Sequence, residues 1–308
     1  MGRLGIIVPT HDRPASLRRT LQSVIPQLAP SDDLLVVDNN SGPETSAVCR
    51  EFAPRVRCIR EPRQGLSHAR NAGIEALGYV GADDIIAFID DDIEAQPGWI
   101  DALVSALRSH SEVSCAGGRV LPSATSVLPA WLTREHWAPL ALQDHGEQER
   151  VFDERNPVGL VGANFAFRAD VFHALGGFSP AVQRVRDGIG STEDHEFLRR
   201  MYASGRTALY VPEAVVTTSI PLERTSLDYH RRWHRGHGRF HALMCLPEVE
   251  ATRTRLFGLP LHLVRTAGAD LVAWIRSRIA GDRARAFAAE TRLWFFTGFF
   301  RERCLTRR

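Results

Sequence analysis

Three consecutive carboxylates, Asp90-Asp91-Asp92, stand at the end of the apolar run Ile85-Ile86-Ala87-Phe88-Ile89. The run reads as a buried strand, with Asp83-Asp84 before it and a Pro97-Gly98 turn after it. Ionised groups taken out of water without partners cost several kcal/mol each, so the triplet must face solvent, a cation or both. Ligands of open α/β sheets bind where strands end, which makes the triplet a candidate hard-cation site. Asp38 follows the apolar run Leu34-Leu35-Val36-Val37 in the same way, and Asp12 lies just beyond Gly5-Ile6-Ile7-Val8. Glu193-Asp194 opens a helical pattern and is a candidate acid–base pair. His230, His234, His237 and His241 are spaced four, three and four apart, which on an unbroken helix would place them on one face fit for zinc. Gly236 and Gly238 weaken that helix, and Arg231, Arg232, Arg235 and Arg239 would surround a metal with cations. The stretch therefore reads as a basic surface that meets a diphosphate or an anionic acceptor.

The elements that must position these groups alternate over the first 120 residues. Strands are expected at Gly5–Val8, Leu34–Val37, Val56–Arg60 and Ile85–Ile89, with helices at about Pro14–Gln27, Glu44–Phe52 and Ser67–Leu77. Such alternation predicts a parallel sheet with helices on both faces. Asp12, Asp38 and Asp90 then gather at one sheet edge. From Arg119 to Pro157 prolines and tryptophans interrupt the pattern, as expected of an irregular insert or hairpin that covers a site. Order resumes with a strand-like segment at Leu160–Arg168 and a helix near Asp170. A helix over Thr192–Ser204, opened by Ser191 or Thr192, and a strand over Thr207–Val211 follow. Helices near Ser226–Cys245, Leu256–Ile279 and Arg283–Phe300 complete the chain.

Composition sets the outer bounds. The 308 residues are 44% hydrophobic and 24% charged, ordinary for a globular chain with a real core. All 38 basic residues are arginine, and the net charge of +2 argues against a general nucleic-acid binder. Five widely spaced cysteines without a C-x-x-C pair suit reduced thiols better than a disulfide framework. Strand-like sequence from Leu4 leaves no room for a signal peptide, and no apolar run approaches the roughly 20 residues of a membrane span. The expectation is a cytoplasmic protein, either free or peripheral at the inner face of the membrane.

Five motifs occur in a fixed order: Ile7-Val8-Pro9-Thr10-His11-Asp12-Arg13, Val36-Val37-Asp38-Asn39-Asn40-Ser41, Arg70-Asn71-Ala72-Gly73, Phe88-Ile89-Asp90-Asp91-Asp92 and Thr192-Glu193-Asp194-His195-Glu196. Together they resemble the GT-A-fold glycosyltransferases of family 2, over about residues 4 to 245. Gly118-Arg119-Val120-Leu121-Pro122, Trp131-Leu132 and Gly162-Ala163-Asn164 are similar to a bacterial subgroup of that family. The resemblance implies an α/β GT-A fold, Rossmann-like, with a mostly parallel central sheet, helices on both faces and added C-terminal helices. It divides the chain into a catalytic domain over 1–222 (nucleotide-sugar half 1–118, acceptor half 119–222) and a helical region over 223–308.

The same resemblance implies a metal-dependent, inverting transfer of a sugar from a nucleoside-diphosphate donor, UDP or dTDP, to an acceptor hydroxyl. Asp38 would accept the N3–H of the base, although it can also form an Asx turn with Ser41-Gly42. Pro9 and Thr10 would floor the base and ribose, with Asp12, Arg13, Arg70 and Asp91 also on the donor side. Asp90 would lie near the ribose and the metal, and Asp92 would hold a divalent cation, Mg²⁺ or Mn²⁺. The alternative for the triplet is to cap a following helix, which accounts for one aspartate and not three. Asp194 would be the general base and Glu193 its helper, unless both only cap their helix. The acceptor, a glycan, a lipid-linked glycan or a small molecule, would lie against the Arg119–Pro157 insert and Gly162-Ala163-Asn164. Related sequences often carry a histidine near Thr218; here Thr217-Thr218-Ser219 stand, so that role is lost or passes to His230 or His234.

The C-terminal helices mix apolar residues with arginine. They read either as packing or homodimer surfaces or as an interfacial membrane contact. Two other functional classes share parts of the pattern. A nucleotidyltransferase would usually carry a Gly-rich basic loop after its first strand, which Pro9-Thr10-His11-Asp12-Arg13 lacks. A non-catalytic sugar-nucleotide-binding protein would not need Asp38, Asp90, Asp92 and Asp194 together.

Overall fold

The computed structural model describes residues 2–183, 192–245, 254–256 and 258–305. By its internal contacts the chain forms two compact units, one of Met1–Ser126, Ala141–Arg186 and Glu193–Ser219, the other of Val127–Leu140, Asp187–Thr192 and Ile220–Arg308. The segment Val127–Leu140, inside the expected insert, thus groups with the C-terminal helices.

The first unit is built on one sheet. β1 (Leu4–Thr10), β2 (Asp33–Asp38), β3 (Arg57–Arg60) and β4 (Ile85–Ile89) are parallel, in the order β3-β2-β1-β4. All seven residues of β1 and all five of β4 are buried, the pattern of strands covered on both faces. The crossovers are α1 (Pro14–Val24), α2 (Pro43–Glu51) and α3 (Leu66–Leu77). Proline at the first turn of α1 and α2 costs no hydrogen bond, and Gly78 in the left-handed region ends α3. The Asp90–Asp92 triplet is followed by a strand, β5 (Ile93–Ala95), so it caps no helix; α4 (Trp99–Ser109) begins after the Pro97-Gly98 turn.

Beyond β4 the sheet changes direction. β6 (Val113–Pro122), β7 (Arg150–Phe152), β8 (Asn164–Arg168) and β9 (Thr207–Thr218) continue it in the order β4-β8-β6-β9-β5, with β7 also on β9. β8 is antiparallel to both β4 and β6. β9 runs seven residues past the expected end at Val211. Its register against β6 shifts between Gly117 and Arg119, and the extra residues around Pro212 are taken up there as a bulge. α5 (Asp170–Leu175) and α6 (Glu193–Ala203) cover this half; Ser191, one expected opener of α6, lies outside the described residues. Phe88, Phe165, Phe167, Phe172, Phe178 and Phe197 form an aromatic core beneath β4 and β8, mostly edge to face. Burying each such ring is worth roughly 1.5–3 kcal/mol, which fixes β4 and hence the triplet at its end.

The second unit is helical: α7 (Leu227–Met244), α8 (Leu261–Ile279) and α9 (Arg283–Leu305), with a short hairpin of β10 (Arg255–Leu256) and β11 (Leu259–Pro260). α7 spans the helix expected near Ser226–Cys245, and Gly236 and Gly238 do not break it. A Cβ on Gly238 would lie 1.9 Å from the Phe295 carbonyl oxygen, and one on Gly298 would lie 1.9 Å from that of Arg235. The two helices therefore touch backbone to backbone, and glycine is what permits it. The pairs Arg231–Glu290 and Arg239–Glu302 advance the same way along both helices, so α7 and α9 run parallel.

Candidate active site

The parallel register brings the ends of β1, β2 and β4 together, and with them most of the residues singled out by type and spacing. Pro9 and Thr10 pair with Val37 and Asp38 across β1 and β2. Asp38 is 1% exposed; its Oδ1 accepts the Ser41 backbone N–H at 2.8 Å, and its Oδ2 lies 3.8 Å from the Arg60 guanidinium. The Asx turn is thus present, and one carboxylate oxygen stays clear of it. Asp12, at φ 52°, accepts the Gly42 N–H and donates its own N–H to the Ser41 hydroxyl, clipping the β1 and β2 loops together.

The triplet divides by orientation. Asp91 is buried; it accepts the Thr10 hydroxyl at 2.7 Å and one arm of Arg13 at 3.3 Å. It ties β4 to β1 inside the protein, and its oxygens are already engaged there. Arg13 also donates to Asp92 Oδ2 at 2.8 Å. Burial holds both Asp90 and Asp91 above the usual carboxylate range, and the charge of Asp92 adds to it. Thr218 donates its hydroxyl to the Asp92 carbonyl at 3.1 Å, so the position where a histidine was expected does lie beside Asp92, occupied by a short side chain turned to the backbone.

Arg70, from α3, is 1% exposed and joins the strand ends to α6. It donates to Asp90 Oδ1 at 3.2 Å and lies 3.6 Å from Glu193 Oε1, over the rings of Phe165 and Phe178. Gly162 makes room for it: a Cβ there would come within 2.6 Å of the guanidinium. The Gly162 N–H in turn donates to Asp194 Oδ2 at 3.0 Å, while Asp194 Oδ1 accepts the His195 N–H at 2.8 Å. Asp194 is only partly buried and close enough to Asp90 for its charge to be felt there. Glu193, by contrast, is 3% exposed and lies against Arg70.

Two expectations need correction. Asn164 is fully buried; it accepts the Trp99 indole N–H and donates to the Arg119 and Ala214 carbonyls, so it braces β8 and does not face an acceptor. The histidines of the row face inward rather than forming a surface. His230 is fully buried against Trp131, His136 and Phe287, His237 stacks on Trp233, and Arg231, Arg232 and Arg239 each pair with an acid. No group of three metal-ligating side chains occurs among the described residues.

Sequence reasoning passed over the surroundings of Asp38. A cavity of about 720 Å³ is lined by Asp38, Ser41, Arg50 and Arg60 together with Cys49 and Cys58. The parallel pairing of Asp38 with Arg60 is the signal that could have placed Arg60 there.

Comparison with known proteins agrees with this geometry. The model of the family described as "Glycosyl transferase family 2" matches residues 5–176, more than half of the chain. The chain is 27% identical to the glucosyl-dolichyl phosphate glucuronosyltransferase of Haloferax volcanii, over 74% of this chain and 72% of that protein. It is 26% identical to the succinoglycan biosynthesis protein ExoM of Rhizobium meliloti, over 78% and 75% respectively. Among solved structures it is similar to the mannosyltransferase PcManGT from Pyrobaculum calidifontis in complex with GDP-Man and Mn²⁺ (TM-score 0.60, 17% identity, 97% of this chain and 86% of that one). It is also similar to GalNAc-T7 with UDP, GalNAc and Mn²⁺ (TM-score 0.54, 17% identity, 83% of this chain), of which it spans about half, 52%. The sheet that gathers Asp38, Asp90–Asp92 and Asp194 is the GT-A fold, and the chain belongs to glycosyltransferase family 2.

Proposed function

We propose that this glycosyltransferase moves a sugar from a nucleoside-diphosphate donor, UDP or dTDP, to an acceptor hydroxyl with inversion, using Mg²⁺ or Mn²⁺. The observation that carries the reading is that Asp92, Asp194 and the buried guanidinium of Arg70 all act on Asp90 at the end of β4, with Asp38 at the same edge of the sheet, at the end of β2. Asp38 keeps one oxygen for the N3–H of a pyrimidine base. Asp92 and Asp90 supply two hard oxygen donors, which suits a cation that takes its remaining ligands from phosphate and water. Such a cation, when bound, offsets the charge that grows on the departing nucleoside diphosphate. Arg13 releases Asp92 toward that role and offers its guanidinium to the phosphates.

Asp194 activates the acceptor. Its two backbone N–H bonds fix the carboxylate without using all its lone pairs, so a hydroxyl can still donate to it. Glu193 keeps Arg70, and through it Asp90, in place and does not reach the acceptor itself. The catalytic domain of this reading spans residues 1–222, and the helical region follows it. The lipid-linked substrate in the name of the Haloferax volcanii relative makes a lipid-linked glycan one acceptor to test.

The test is a screen of nucleotide sugars for metal-dependent binding and slow donor hydrolysis, which needs no acceptor. Pyrimidine-diphosphate sugars should bind with Mn²⁺ or Mg²⁺ and be turned over. Asp194→Asn should stop transfer and leave donor binding intact. Normal turnover by Asp194→Asn, or donor binding indifferent to EDTA, overturns the assignment.

A further inference from the structure

In the helical unit, α8 turns a face outward that its neighbours leave uncovered. Leu271, Val272, Ile275 and Ile279 are 47%, 47%, 44% and 82% exposed, where a packed helix would hide them. At about 100° per residue they share, with Gly268, an arc of about 100°. The opposite side is the packed one: Asp270 is buried there, in an ion pair of 2.7 Å with Arg292 of α9, and Leu263 joins the small core of Ala242, Leu259 and Phe299; in the first turns Val264, on the same face as Leu271 and Ile275, packs on that core too, so the uncovered stripe begins only at Gly268. Arg278 borders the exposed stripe on one side and Arg265 and Arg276 on the other, all exposed. Asp270 is the only acid on α8, and it faces inward. No described helix is long and apolar enough to cross a membrane.

We propose that α8 docks flat on an anionic lipid surface, with Leu271, Val272, Ile275 and Ile279 entering the interface and Arg265, Arg276 and Arg278 meeting the headgroup phosphates. Charge decides between occupants. Two copies meeting through this face about a twofold axis would set arginine against arginine, with no exposed acid on the helix to relieve it. Lipid phosphates supply the missing anions, and arginines flanking an apolar stripe suit an interfacial helix. Arg283 and Arg285, exposed at the start of α9, extend the same positive field. The inference concerns the helical unit and holds whatever sugar the enzyme transfers.

Vesicle co-sedimentation of the full chain tests it, with phosphatidylcholine vesicles alone and with phosphatidylglycerol added. Three arginines near an anionic surface should strengthen binding by roughly hundredfold over neutral vesicles at low salt. Raising the salt should shrink that preference as the screening length shortens. Ile275→Ser with Ile279→Ser should weaken binding by about tenfold or more through lost apolar insertion. Both positions are exposed, so folding, read by circular dichroism, should be unchanged. Arg276→Gln with Arg278→Gln should remove most of the lipid-charge preference and leave weak neutral binding. Absence of binding to phosphatidylglycerol vesicles overturns the proposal on the unmutated chain alone. A wild-type dimer in analytical ultracentrifugation that the serine variant converts to monomer, without vesicle binding, overturns it in favour of a contact between copies.

Discussion

Replacing Arg70 with methionine gives the sharpest test of the site's electrostatics. The guanidinium offsets two carboxylates at once, Asp90 at 3.2 Å and Glu193 at 3.6 Å. At an effective dielectric near 20, each contact is worth roughly 5 kcal/mol of gross attraction. Most of that is returned as the desolvation of three ions, and the Asp90 arm is weaker because its side chain is 31% exposed and partly screened by solvent. Glu193, at 4% side-chain exposure, has no such relief. Arg70→Met should therefore cost about 3–5 kcal/mol, the usual penalty for removing one partner of a buried ion pair. Glu193→Gln added to it should recover part of the loss, because the buried charge that has lost its Arg70 contact is then gone. The assay is urea denaturation of the single and double variants at neutral pH, read from midpoints at unchanged slope. A loss below about 1 kcal/mol for Arg70→Met, or strictly additive losses in the double variant, would show that Arg70 does not hold the site together.

Further outcomes follow from other positions. Asp92→Asn should abolish metal-stimulated donor binding in titration calorimetry while leaving the circular dichroism spectrum unchanged; metal binding as in the wild type would remove Asp92 from the cation site. Burial, with His136 nearby, depresses His230 to about 4, so between pH 6.5 and 4 the unfolded chain takes up a proton that the folded chain refuses. Stability should thus decline as the pH is lowered through that window, and His230→Phe should flatten the decline by about 1.4 kcal/mol per pH unit; equal slopes would contradict a buried neutral ring. Gly238→Ala would gain about 1 kcal/mol on helix propensity alone, yet the clash with the Phe295 carbonyl should make it destabilising by about 1–3 kcal/mol. A thermally stabilised Gly238→Ala would mean the helices do not meet at that point.

How much of the fold is legible in the sequence depends on how local each signal is. β1, β2 and β4 stand out because a continuous apolar run ending in aspartate fits little besides a buried strand that opens on solvent, and parallel strands then bring their ends together. β5 is invisible because three residues between a charged turn and Pro97 carry no period. The end of β9 is hidden because Pro212 and Glu213 read as a stop, whereas the bulge opposite Gly117–Arg119 absorbs them. The link between Asp194 and Asp90 spans about a hundred positions, so no local pattern could reveal it; only the order of the five motifs does. Asn164 shows the converse. The resemblance of Gly162-Ala163-Asn164 suggests acceptor contact, but three hydrogen bonds inside the sheet consume the capacity of Asn164, and its burial cannot be read from the motif. The histidine row misleads for a similar reason, since its surroundings come from Trp131, His136 and Phe287, far away in the chain.

The glycine contact between α7 and α9 has a bearing on motion and on sequence change. Because Gly238 and Gly298 each face a carbonyl of the other helix, the two helices are keyed to a single axial and rotational phase. Sliding either one by a residue would rotate a side chain into the gap, so the pair cannot creep or roll as loosely packed helices do. An insertion within α7 between the Arg231–Glu290 pair and Gly238 would break the key, while insertions in the turns that join the helices would leave it intact. Any rearrangement of this unit must then carry α7 and α9 along as one rod.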